Sequence, residues 1–309
     1  MTTGEALARH LGDPGDTRYL IINCDDLGSS HAANVATLKA MDEGIATSAT
    51  LMVPCPWARE AAAMFKGRDI GVHLTLTAEY PGYRWRSLTG ARSLHDQDGF
   101  LPARTMDAVK AAKPEDVRAE CAAQIEQALS WGVDVTHIDA HMGVANIPPF
   151  AEIFLELAAT YRLPARLLDV ENNKFNFEIA GDDSRTAAAK RGILASDRFI
   201  FQWPCNTHDL LTQHIPKLKP GITEFCAHPV ADGPELRAYD PAAPNQRAND
   251  AVHLCEPDLK RAIATSGAKP ISFRPIRDLQ RSRPLATAVS PGVGLSPLEG
   301  RNRCARPDC

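Results

Sequence analysis

Tyr19-Leu20-Ile21-Ile22-Asn23-Cys24-Asp25-Asp26 is an apolar run that stops at two adjacent carboxylates. Four large apolar residues in a row read as a buried strand. Neighbouring carboxylates repel, so a site that keeps both usually supplies a cation beside them. Two more apolar runs end in the same kind of residue: Gly71-Val72-His73-Leu74-Thr75 and His137-Ile138-Asp139-Ala140-His141. Side chains alternate across a strand, so His137, Asp139 and His141 fall on one face, which carries two imidazoles and a carboxylate. Together the three segments can build a one-metal hydrolase site.

Outward from these runs the chain alternates strands with helices. Ser29 or Ser30 can cap a helix over residues 31–43, with Val35, Leu38 and Met41 at helical spacing and Gly44 as its stop. A strand is expected at 49–53, a helix at 57–65, and the strand 69–76 carries His73. Pro114 suits the first turn of a helix over 114–131, where Val117, Cys121, Ile125 and Leu129 recur every fourth residue. The strand 133–139 then leads to a helix at 148–161, a strand at 165–168 and an irregular stretch to Ser196. Strands at 198–202, 223–227 and 270–273, with helices at 207–218 and 257–265, complete the pattern. Repeated strand-helix units imply parallel strands with helical crossovers. The suspected functional groups sit at the carboxyl ends of strands, where a (β/α) barrel places its site. The expected fold is therefore α/β, a single, distorted TIM-like barrel with a long insertion after the strand carrying His73. Residues 1–17 read as an N-terminal arm, 18–280 as the barrel domain and 281–309, rich in Pro, Gly, Ser and Arg, as a disordered tail.

Residues 77–113 show no clear period, yet Tyr80, Tyr83, Trp85 and Phe100 punctuate them. A connection that long is usually functional or disordered, and its aromatics favour function. Tyr83 and Trp85 are candidates for a sugar platform or for packing on the barrel mouth. With 309 residues, 44% hydrophobic and 23% charged, the chain can bury a sizeable core without disulfides. A net charge of -4 shows no basic surplus for nucleic acid. No run approaches a membrane span and the start lacks an apolar leader, so a cytoplasmic protein is the default expectation. The eight cysteines are scattered without a C-x-x-C pair and read as reduced residues.

The ordered motifs Leu20-Ile21-Ile22-Asn23-Cys24-Asp25-Asp26-Leu27-Gly28, Gly44-Ile45-Ala46-Thr47-Ser48-Ala49-Thr50-Leu51-Met52, Gly71-Val72-His73-Leu74, Thr136-His137-Ile138-Asp139-Ala140-His141 and Glu224-Phe225-Cys226-Ala227-His228-Pro229 resemble the YdjC-like carbohydrate deacetylase family. That resemblance implies a distorted (β/α) barrel and one divalent cation, magnesium or zinc, held by Asp26, His73 and His141. It also implies Asp25 as general base and His228 as general acid. Asn23, His137 and Asp139 are expected behind the ligands or on the substrate. Arg166 is open to three readings: a sugar hydroxyl, the orientation of Asp25, or a surface ion pair. Two features depart from the pattern. Ala227 separates Cys226 from His228, and Met142-Gly143-Val144-Ala145-Asn146 stands where further histidines often follow, with Asn146 a replacement hydrogen-bonding group.

The implied activity is hydrolysis of an N-acetyl group on an amino sugar or oligosaccharide. The alternatives are a metal-dependent hydrolase of another amide or ester, such as a lipid-linked sugar, and a non-catalytic sugar-binding protein on the same fold. The expected partner is the sugar substrate, and both monomer and homo-oligomer stay open.

Overall fold

The structure, a computed structural model, describes residues 1–168, 183–242 and 245–284. Most of the expected tail and much of the irregular stretch before Ser196 thus lie outside the described residues. Among the described residues, seven parallel strands form one sheet: β1 Arg18–Leu27, β2 Ser48–Leu51, β3 Ile70–Leu74, β4 Val135–Ala140, β5 Arg198–Ile200, β6 Gly221–Ala227 and β7 Lys269–Pro270. Their order is β4-β3-β2-β1-β6-β5, and β7 pairs with the start of β1. The ring expected of a TIM-like barrel is not closed by strands among the described residues, because β4 and β5 end the order. Beyond β4 the chain makes a single parallel bridge, Ile138 to Ala165, where the sequence suggested a strand. Pro164 has no N–H to extend that ladder.

The sheet is nevertheless strongly curled. Strands lie about 4.8 Å apart, so in a flat sheet Arg166, beyond β4, would be more than about 20 Å from β6. Instead Arg166 Nε donates to Glu224 Oε1 of β6 at 2.6 Å and Nη2 donates to Asp25 Oδ1 of β1 at 2.9 Å. The concave face is therefore an interior, a half-barrel shared by side chains from both ends of the strand order.

Strand alternation sorts the two faces. Leu20, Ile22 and Cys24 of β1 pack outward against the helices in the larger core cluster, while Tyr19 and Ile21 point inward and join Leu7, Ile222, Phe273 and Ile276 in a second, apolar cluster. The segment expected as an arm is the helix Thr3–Leu11, which contributes Leu7 to this floor; its first amides, Thr3 and Gly4, donate to Asp197. Above the floor the interior turns polar: Asn23, Ser48, Thr50, His73, Asp139, Arg166 and Glu224 are all buried. A polar lining inside an α/β sheet costs stability unless its members satisfy one another, and it marks where function outranks packing.

The helix His31–Asp42 starts at Ser30, whose hydroxyl accepts from Ala33 N at 3.0 Å. It buries Ala32, Ala33, Ala36 and Ala40 and packs half-buried Leu38 and Met41 against the core, while Val35 is exposed, so small residues make much of the buried face. The helix Pro114–Ser130 buries Val117, Cys121, Ile125 and Ala128, with Leu129 exposed. Three steps of four residues drift about 120° around a helix with 3.6 residues per turn, which carries Leu129 off the buried face. Residues 77–113 are packed as well, containing the helix Thr105–Ala111 and a short turn at Arg92–Leu94. Buried Glu120 ties this segment down by accepting from Leu88 N and Thr89 N at 3.0 and 2.9 Å.

His137 belongs to the floor. Its ring stacks on Phe273 with 3.7 Å between centroids, and it lies against Gly71, where an added Cβ would sit 2.6 Å from the imidazole. Replacing Gly71 with Ala is expected to destabilise the fold by about 1–3 kcal/mol through overpacking. Thermal or urea denaturation checks this, and a transition unchanged from wild type would show that the ring can give way.

Candidate active site

Two adjacent strand residues normally face opposite ways. Asp25 and Asp26 nevertheless both line one cavity, of about 460 Å³. The reason is a bulge: between Cys24 and Leu27 the β1–β2 register slips, and Asp26 adopts a left-handed backbone with φ 61°. Aspartate tolerates this region better than most residues, and such strain persists where the surroundings impose it. Gly28, at φ 88°, completes the turn and passes against Ala58, where a Cβ would come within 2.9 Å.

Asp26 meets His73 at the end of β3 and His141 just after β4. Its Oδ1 lies 3.4 Å from His73 Nε2 and 3.1 Å from His141 Nδ1, yet this buried oxygen accepts no hydrogen bond. A carboxylate oxygen orphaned between two imidazole nitrogens is the arrangement a cation would satisfy, and the three ligand atoms lie close enough to share one ion. The far nitrogens are also engaged: His73 Nδ1 lies 2.9 Å from Asp139 Oδ2, off the line of a good hydrogen bond, and His141 Nε2 lies 3.0 Å from Glu79 Oε2. Carboxylates behind liganding histidines fix ring orientation.

Arg166 organises the second group. It donates to Asp25 through both terminal nitrogens, at 2.6 Å and 2.9 Å, to Asp139 through Nη1, and to Glu224 through Nε at 2.6 Å. Of its three open readings this supports the orientation of Asp25, since these donors go to protein carboxylates. Asn23 Nδ2 donates to Asp25 Oδ1 at 2.7 Å, and Asn23 Oδ1 accepts from Ser48 Oγ at 2.6 Å. His228 Nε2 stands 3.9 Å from Asp25 Oδ2. Because Glu224, Cys226 and His228 have the same parity, alternation alone turns His228 inward, and the intervening Ala227 needs no bulge.

The electrostatics follow from burial against charge. Burial raises the Asp25 carboxyl, but Arg166, with His73 and His228, outweighs it and holds the group below its usual range. Asp26 is likewise raised by burial and pulled well below its usual range by Arg247 and His141. Burial disfavours charge on His73 and His141, but Asp139 and Asp26 lift His73 to about 9, and Glu79 and Asp26 lift His141 to about 10. Burial dominates for His228 and leaves it below its ordinary value.

A family model described as YdjC-like protein matches residues 19–265. The chain belongs to the YdjC-like family. It is 33% identical over 278 residues to a Thermus thermophilus protein named carbohydrate deacetylase, covering 85% of this chain and 96% of that one. A Geobacillus stearothermophilus protein of the same name is 32% identical over 83% of this chain and 97% of its own length. Among solved structures, an Enterococcus faecalis protein described as a candidate cellobiose-phosphate cleavage protein superposes with a TM-score of 0.72 at 24% identity, covering 83% of this chain and 98% of that one. This last likeness concerns the fold.

Trp85, Tyr83, His137 and Asn146 of this YdjC-like chain stand outside the cavity lining, and for Trp85 and Tyr83 the structure favours packing, one of the two readings the sequence left open. Trp85 is buried, at 3% exposure, with its indole N–H on Thr77 O, so it packs the insertion and does not meet the cavity. Tyr83 stacks on Tyr239 and donates to Ser29 O at 2.6 Å, again away from the cavity lining. His137 bonds Thr136 and stacks on Phe273 one layer below Asp26, His73 and His141, filling the floor instead of meeting their rings. Asn146 is buried but does not line the cavity.

The aromatic wall comes instead from Phe199, Phe201 and Trp203. Their i, i+2, i+4 spacing on β5 and its extension was a legible signal. Glu79 and Arg247, which also line the cavity, were not legible: one stands in the insertion and the other in a helix far along the chain. Arg247 Nη1 donates to Asp26 Oδ2 at 2.5 Å.

The raised histidines set a pH dependence for the metal-free protein. A group whose pKa rises on folding contributes stability that is complete below its unfolded value and lost as pH passes the folded one. With chelator present, the melting temperature is expected to fall as pH rises through about 9 and 10, and a His73→Gln, His141→Gln double variant should show a flatter profile. Parallel profiles would place the pH dependence elsewhere.

Proposed function

We propose that this protein is a metal-dependent deacetylase that hydrolyses the N-acetyl group of an amino sugar. One observation carries the reading: a single cavity holds a carboxylate with two imidazoles, Asp26, His73 and His141, beside a separate carboxylate and imidazole, Asp25 and His228. The first set suits a cation and the second suits proton transfer; a sugar binder needs neither. The relatives named carbohydrate deacetylase, matched over most of their length, support the reaction class and the sugar.

The donor set fits magnesium or zinc, with coordination positions left for water and substrate. Bound there, the cation supplies a Lewis acid for the acetamide carbonyl and makes water more acidic. The chain's own residues do the rest. Arg166 and Asn23 keep Asp25 ionised and aimed; Oδ1 is taken up by Asn23, Thr50 and Arg166, so the lone pair left on Oδ2 takes the proton of the attacking water. Held below its usual pKa, Asp25 is a weak base, one that would suffice for a water that a bound cation would acidify. As the C–N bond breaks, the proton Asp25 has taken passes to His228 Nε2, 3.9 Å from Asp25 Oδ2, and on to the departing nitrogen, so acetic acid and free amine leave with both residues restored. Asp25 and Asp26 oppose the burial that discourages protonation of His228.

Trp203 is 43% exposed at the cavity mouth, beside the His228 ring. Aromatic faces pack on the apolar faces of sugar rings, so the wall of Phe201 and Trp203 takes the place expected for Tyr83 and Trp85. The insertion contributes Glu79 and Thr105 to the cavity instead.

Asp25→Asn is expected to lower kcat by about 10²-fold or more while metal content stays unchanged, whereas His141→Ala should lose metal and activity together. Acetate release from N-acetylated sugars and elemental analysis measure both; equal metal loss in the two variants would make Asp25 a ligand. Trp203→Ala should raise KM for the sugar with metal affinity intact, and unchanged kinetics across a panel of acetylated sugars would reduce the indole to packing.

A further inference from the structure

Three parts of the site converge on one short helix, Gln246–His253. Arg247 donates to Asp26 Oδ2 at 2.5 Å, and its backbone carbonyl accepts from Val230 N at 3.0 Å. Asp250, one turn further on and fully buried, accepts from His228 N through Oδ2 at 2.8 Å and from Thr207 Oγ1 through Oδ1 at 2.6 Å. Gln246 accepts from Cys205 N at 2.8 Å, two residues after Trp203. Residues 247 and 250 share a helix face, so this rigid turn touches Asp26 with one side chain and the His228 backbone with another.

We propose that the helix Gln246–His253 is the brace that sets the spacing between the Asp26, His73 and His141 set and His228, with Arg247 and Asp250 as its two positioning residues. Arg247 occupies one oxygen of Asp26, which leaves Oδ1 turned to the two imidazoles. The Arg247 ring neighbours Tyr80 and Trp203, at 5.8 and 5.3 Å from the guanidinium carbon, confine its swing. Asp250 grips the His228 main chain at the point where β6 ends and ladder hydrogen bonds give out. A carboxylate is unneeded for that grip alone: an Asn can accept from His228 N while its amide donates to Thr207, whose hydroxyl turns to accept. The inference rests on the deacetylase reading above, and its two arms have separate readouts.

For the first arm, Zn²⁺ is titrated calorimetrically into purified, metal-stripped wild type, Arg247→Gln, Arg247→Lys and Asp250→Ala. Arg247→Gln is expected to weaken metal binding by about 10- to 100-fold, Arg247→Lys to recover part of it, and Asp250→Ala to bind as wild type does. For the second arm, an N-acetylated sugar is compared with an aryl acetate, whose leaving group needs no proton. Asp250→Ala should slow the amide about 10²-fold and spare the aryl ester, and Asp250→Asn should restore amide hydrolysis. Arg247→Gln binding metal like wild type overturns the first arm. Equal losses on amide and ester, or Asp250→Asn as slow as Asp250→Ala, overturn the second. Wild type that hydrolyses neither substrate sinks the deacetylase reading and the second arm with it, while the metal titration still decides the first.

Discussion

The contact on which the structure depends is the buried guanidinium of Arg166 among Asp25, Asp139 and Glu224. Removing a charge from water is expensive and is tolerated only where partners and hydrogen bonds replace the solvent. Here one cation serves three carboxylates drawn from β1, β4 and β6, so the sheet must curl far enough to bring those strands to one point. The same contact that holds the half-barrel together leaves Asp25 ionised and directed. Its planar, multi-pronged geometry is one that lysine lacks.

Charge balance explains what the site asks for. Asp25, Asp26, Glu79, Asp139, Glu224 and Asp240 face Arg166 and Arg247. With every carboxylate ionised, six negative charges meet two positive ones. Two protons, one on His73 and one on His141, relieve that excess by the same amount as one divalent cation held by neutral imidazoles. A cation held there would therefore compete with protons for the same sites, the linkage expected where ligands must be deprotonated to bind. The apolar floor below insulates this group, and the aromatic wall at the mouth gives the cavity one non-polar side.

Much of the strand and helix order was legible because buried strands and capped helices leave local marks. The strand seeds around Ile21, His73, Ile138 and Phe225, the cap at Ser30 and the start at Pro114 all stand where short-range pattern put them. The family was legible for the same reason, since its motifs are short, ordered and strand-terminal. What failed did so through long-range packing. Trp85 was open to a platform or to packing and is buried under its loop, and the strands expected at 165–168 and 270–273 shrink to a bridge and a two-residue pair, where Pro164 and Pro270 have no N–H to give a ladder.

The sequence by itself determined which residues are candidates for chemistry: adjacent carboxylates after an apolar run, and histidines at strand ends, are local facts. Only the tertiary structure decided how they meet. The bulge that turns Asp25 and Asp26 to the same side is a property of the β1–β2 register, invisible in either strand alone. Glu79 behind His141 and Arg247 on Asp26 come from segments with no motif to flag them, and they reach the site because the curl and one late helix bring them there. Alternation and capping act over a few residues, whereas the pairing of buried charges is set by which strands a curved sheet brings face to face.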